Sequence, residues 1–143
     1  MRFKDPRMEK EFFTLHPKLQ MLITWINWWG ITHGEEPTWT EFLRSEEEQL
    51  QFYEEDRARL VGLGIDPATS IIKKTSVHMF GRGADFRLFK NQNLNVLVAI
   101  EVNEKFPYDP KRPQMKTLVT HEGNALHHHV QAFEEQHTEV LHA

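Results

Sequence analysis

The chain has 143 residues, 39% hydrophobic and 27% charged, with a net charge of −4. That length holds one domain with a real core, and the acidic balance argues against a broad nucleic-acid footprint. The lack of cysteine excludes disulfides, thiolate zinc sites and a cysteine nucleophile.

The opening MRFKDPRMEK is charged with no apolar stretch behind it, so no secretory signal is expected and synthesis is read as cytoplasmic. Phe12, Leu15, Leu19, Leu22, Ile23 and Ile26 recur at helical spacing over 9–29. Pro17 places the helix start there, with His16 just before it, and Gly30 is the expected stop. Within it MLITWINWWGI is about half a membrane span and is broken by Thr24 and Asn27, so no membrane insertion is expected. Trp25, Trp28 and Trp29 read as core or as a patch on this helix. PTWTEFLR, 37–44, reads as a short strand. Ser45 and Glu48 form a capping box ahead of a helix over 46–61, ended by Gly62 and Gly64. ADFRLF, 84–89, alternates as a strand does, and Asn91 or Asn93 caps a helix over 94–105. After the proline-rich loop FPYDPKRP come two strands, KTLVTHE and HHHVQAF, around the hairpin-like turn GNAL. The expectation is a single α+β domain over 1–143: N-terminal helices packed on a small antiparallel sheet, a core over about 9–133 and a frayed polar tail, 134–143.

Nine histidines are present, and four of them fall within 121–129. On a strand His127, His129 and Gln131 share one face and His128 takes the other, where it is expected to point outward. SVHMFGRGAD, 76–85, brings a histidine and an aspartate to the two ends of a bendable segment. Gly81 and Gly83 permit a tight, left-handed turn that returns Asp85 toward His78. Two histidines and a carboxylate with one open position are a known catalytic zinc set. Such a metal lowers the pKa of bound water to roughly 7 and needs a general base and an oxyanion partner. Glu122 and His127 are the candidate bases, and Arg44 is the candidate positive group.

SVHMFGRGAD resembles the Ser-x-His-x-x-Gly-x-Ala-x-Asp signature of the D-alanyl-D-alanine carboxypeptidase and L-alanyl-D-glutamate endopeptidase family of zinc peptidases. These enzymes cut peptidoglycan stem peptides, many phage endolysins belong to them, and the hedgehog signalling domain shares their fold. TEFLRSEEEQLQFY is similar to the family's Arg-Ser segment with a following Gln and aromatic. HEGNALHHHVQ is similar to the closing His-x-His strand. The three stretches span 40–131, about two thirds of the chain, in the family's order. The resemblance implies His78, Asp85 and His129 as Zn2+ ligands and His127 beside the metal. It implies Glu122 as the nearby acid, Arg44 on the substrate carbonyl or carboxylate, and Ser76 and Gln49 lining the site. Gly83 stands where the family has Ala, a change expected to be tolerated. Glu122 lies seven residues before His129, where many relatives have Glu-x-x-His or Asp-x-x-His.

The expected function is a zinc-dependent, lysin-like peptidase on stem peptides that acts on the cell wall once released. The alternative is a non-catalytic zinc-binding module of the same fold, such as a binding or virion-associated protein.

Overall fold

The computed structural model describes residues 1–121 and 126–133; Glu122, most of the GNAL turn and the tail 134–143 lie outside the described residues. The elements are β1 (Arg2–Phe3), α1 (Arg7–Phe12), α2 (Pro17–Thr32), β2 (Thr38–Glu41), α3 (Glu46–Gly62), β3 (Gly83–Phe86), α4 (Gln92–Lys105), β4 (Leu118–His121) and β5 (His127–Gln131). Short 3-10 turns cover Pro67–Thr69 and Val77–Phe80.

Local chemistry sets the element ends. Pro17 occupies the first turn of α2, and His16 Nδ1 accepts the Lys18 N–H at 3.2 Å, so His16 is a cap. Gly30 does not stop α2. A Cβ there would meet the Glu35 carbonyl oxygen at 2.6 Å and Pro37 Cδ at 2.8 Å, so it is a close-approach glycine, and the left-handed residue is Gly34 at φ 93°. The capping box of α3 is complete: Ser45 Oγ accepts from Glu48 N at 3.1 Å and Glu48 Oε1 accepts from Ser45 N at 3.2 Å. Such a cap is worth about 1 kcal/mol. Asn91 caps α4 through Asn93 N at 3.0 Å. β3 ends at Phe86, short of the expected 89. Just beyond it the Asn95 side chain accepts from Phe89 N at 2.7 Å and donates to Phe89 O at 3.0 Å, taking the place of a strand neighbour.

Among the described residues five strands form one sheet in the order β1-β2-β3-β5-β4. β1 runs parallel to β2 and the other pairs are antiparallel, so the sheet is mixed where a purely antiparallel one was expected. β1 is two residues long, too short to carry an alternation. The helices also do not all precede the sheet, since α4 joins β3 to β4.

Register divides the sheet into two faces. Trp39, Ala84, Phe86, Val130 and Leu118 join Leu19, Leu22, Ile23 and Ile26 of α2 and Leu94, Val98 and Val102 of α4 in one core cluster. Burial of each large side chain contributes roughly 1.5–3 kcal/mol. Trp29 belongs to this core, whereas Trp28 is 58% exposed. His128 faces the core too, which corrects its expected outward position. It is fully buried, accepts at Nδ1 from Thr120 Oγ1 at 2.8 Å and donates from Nε2 to Asn95 Oδ1 at 2.9 Å. Strand parity put it on the second face; α4 covers that face. The opposite face of the sheet carries Glu41, Asp85, His121, His127, His129 and Gln131, paired across the ladders as Glu41↔Asp85, Asp85↔His129 and His121↔His127.

Candidate metal centre

Asp85 and His129 are direct cross-strand partners on β3 and β5, so their side chains stand side by side. His78 comes from the 3-10 turn Val77–Phe80, which Ser76 caps by accepting the His78 N–H at 3.2 Å. Gly81 closes that turn at φ 66°, the left-handed conformation expected of it. Gly83 is already in the strand. A Cβ on it would lie 2.5 Å from Val77 Cγ2, 3.2 Å from His129 Cε1 and 3.3 Å from His78 N. Val77 thus fills the space that an alanine at 83 would need.

The result is a triad. One ligand atom from each of His78, Asp85 and His129 lies within 4.8 Å of the other two, and these residues could hold a metal ion. His129 Nδ1 is 2.8 Å and His78 Nε2 3.3 Å from Asp85 Oδ1. The outer nitrogens are committed elsewhere. His78 Nδ1 donates to the Phe42 carbonyl at 3.1 Å. His129 Nε2 donates to Gln131 Oε1 at 3.2 Å, and the Gln131 amide is oriented by donating to Lys116 O at 2.9 Å. Each neutral ring carries one proton. With that proton on the outer nitrogen, both inner lone pairs point at a carboxylate, an arrangement that calls for a cation between them. Protons or one divalent ion meet that demand, and outer-nitrogen bonds of this kind orient metal-ligating histidines.

The electrostatics state the same demand. Burial would raise Asp85, yet hydrogen bonds from His129 and His78 hold it far below the usual carboxylate range. Burial would lower His78, but the Asp85 carboxylate, helped by Glu41, raises it above the ordinary histidine value. His121 keeps an exposed side, but partial desolvation against the sheet face and the imidazoles of His127 and His129 push it below the ordinary histidine value.

The other expected residues fall around this triad. His127 Nε2 is 3.5 Å from Asp85 Oδ2, on the same face. Arg44 holds its main-chain N–H on the His78 carbonyl at 3.3 Å. Its guanidinium donates to Glu41 Oε1 and, at 2.7 Å, to Gln49 Oε1. Gln49 is buried and donates to the Lys73 carbonyl at 2.5 Å, so it ties Arg44 to the backbone at Lys73. Ser76 acts on the backbone of His78. Glu122 lies outside the described residues. Two residues escaped the sequence reading. Glu41, whose Oε1 is 3.6 Å from His78 Nδ1, links Arg44 to the triad; its place comes from the β2–β3 pairing with Asp85, which the sequence does not announce. Gln131 had been placed on the histidine face without a role.

The sequence matches no family model and no curated protein. The fold does have solved counterparts. One is VanYB in complex with D-alanine-D-alanine, with TM-score 0.52 and 17% identity over 90% of this chain and 77% of that one. Another is a mutant of the vancomycin resistance D,D-pentapeptidase VanY from a VanB-type cassette, in complex with Zn(II), with TM-score 0.51 and 16% identity over 90% and 79%. No helix among the described residues is long and apolar enough to cross a membrane. The chain shares the fold of the VanY D,D-peptidases, the fold that the resemblance of its three motifs implied.

Proposed function

We propose that this chain is a single-domain zinc-dependent peptidase that hydrolyses amide bonds of peptidoglycan stem peptides, with His78, Asp85 and His129 as the zinc ligands. The observation that carries the reading is the pair of imidazoles whose outer N–H groups are tied down and whose inner nitrogens converge on one buried carboxylate. The fold's counterparts add support, one with D-alanine-D-alanine and one with Zn(II).

Zinc, when bound, supplies Lewis acidity toward an amide carbonyl and activates a water molecule. The protein's own groups do the rest. Phe42 and Gln131 fix the ring orientations of His78 and His129. His127 or Glu122 takes the proton from the attacking water and returns it to the leaving amine. Arg44 binds the substrate carbonyl or a terminal carboxylate, held in place by Gln49 and Glu41. For substrate, Arg44 must exchange its Glu41 partner or share it.

That engagement of Arg44 by Glu41 favours the second reading, a zinc-stabilised binding module whose cation is already neutralised. The test is cleavage by zinc-loaded protein. It compares a stem pentapeptide ending in D-Ala-D-Ala with a stem peptide whose L-Ala-D-Glu bond is the only target, alongside Asp85→Ala. Release of D-alanine assigns a carboxypeptidase, and cleavage of the inner bond an endopeptidase. Zinc retention with neither bond cut assigns the binding module.

A further inference from the structure

Asp85 divides its two oxygens among three imidazoles. Oδ1 faces His129 Nδ1 at 2.8 Å and His78 Nε2 at 3.3 Å. Oδ2 lies 3.5 Å from His127 Nε2. The His121 ring is 4.9 Å from that of His127, centroid to centroid, because β4 and β5 pair these residues directly. His121 is exposed, so no packing locks its ring, and joining Asp85 Oδ2 and His127 at one ion requires it to change rotamer.

We propose that His121, His127 and Asp85 Oδ2 form a second divalent-metal position, so that Asp85 bridges two ions. The inference rests on the reading of His78, Asp85 and His129 as the first position. Two-metal hydrolytic sites hold their ions about 3.5–4 Å apart, a separation that the two oxygens of one carboxylate can bridge. A set of two imidazoles and one shared oxygen suits zinc and its neighbours better than calcium or magnesium. The second position is the weaker one. Its rings are more exposed than those of the first: the His127 side chain is 26% exposed against 4% for His78. The first position also has the Phe42 and Gln131 bonds behind it. A second ion takes His127 Nε2, the atom that serves as base in one form of the proposed chemistry, so excess zinc withdraws that base.

The experiment is a zinc titration of the chelator-treated full chain, read by calorimetry and by metal analysis after equilibrium dialysis. Wild type, His121→Ala and His127→Ala are compared, with circular dichroism to establish that each is folded. The expected result is two ions in the wild type, the second bound roughly tenfold or more weakly, and one ion in each variant with the tight step retained. Cobalt(II) in both positions gives a magnetically coupled pair, read as a change in the paramagnetic resonance signal at the second equivalent. One ion in the wild type overturns this proposal and leaves the first position standing. No ion overturns both. Two ions in both variants, or an uncoupled second cobalt, places the second ion elsewhere on the chain and also overturns it.

Discussion

Acid should destabilise this protein through one buried histidine on the side of the sheet away from the candidate metal centre. His128 is fully enclosed, packed at a tilt against Phe86 with ring centroids 4.7 Å apart, and satisfied as a neutral ring by Thr120 and Asn95. Burial, with a smaller contribution from His127, pushes its pKa down from 6.5 to about 4. The unfolded chain therefore binds a proton that the folded chain excludes between these two values. The stability is complete above the unfolded value and is lost as the pH falls toward the folded one. At about 1.4 kcal/mol per unit, the loss from this residue is about 2 kcal/mol near pH 5 and about 3 kcal/mol near pH 4. Against a total of roughly 5–15 kcal/mol, that is a large share. The assay is urea unfolding of chelator-treated protein near pH 7 and near pH 5, wild type against His128→Phe. Phenylalanine keeps the ring packing and cannot titrate. It should cost about 1–2 kcal/mol near neutrality through the lost hydrogen bonds, and the two stability curves should converge or cross as the pH falls. Asp85 and His78 titrate in both proteins and cancel in the difference. A difference that stays constant from neutrality to pH 5 would refute the reasoning.

Other expectations bear on the triad. Gln131→Ala frees the outer nitrogen of His129 and should weaken zinc binding about 10–100-fold, measured by competition with a chromogenic chelator, with Gln131→Glu recovering part of it. Gly83→Ala should cost about 1–3 kcal/mol by overpacking against Val77, measured by thermal unfolding. Val77→Ala in the same chain should restore most of that loss. Because Asp85 raises His78 above the ordinary histidine value, protons compete with metal into the neutral range. Zinc affinity should then climb with pH through neutrality, and a flat profile in calorimetry would count against the ligand set.

The local signals in the sequence transferred well to the structure. Ser45 with Glu48 announces a capping box, Pro17 a helix start, and Asn91 or Asn93 another; the capping box forms, His16 caps the helix that begins at Pro17, and Asn91 is the cap of α4. The grouping of His78, Asp85 and His129 was legible through the resemblance, in which SVHMFGRGAD carries the first two and the closing His-x-His strand the third; strand parity alone leaves His127 and His129 equivalent. What escaped depends on contacts distant in sequence. Gln131 matters only once Lys116 orients its amide, and Glu41 only once β2 lies beside β3. His128 was assigned to the right face but to the wrong environment, since parity does not reveal that α4 covers that face. The same limit applies to Gly83, whose missing methyl is filled by a side chain six residues earlier.

The central claim is that His78, Asp85 and His129 hold zinc. It is tested most directly by giving one equivalent of zinc to the chelator-treated chain, desalting it, and measuring the metal that stays with wild type and with Asp85→Ala. Retention by the wild type and loss from the folded variant is the expected result. A wild type that keeps no zinc, or a variant that keeps as much, would contradict the claim and the peptidase reading built on it.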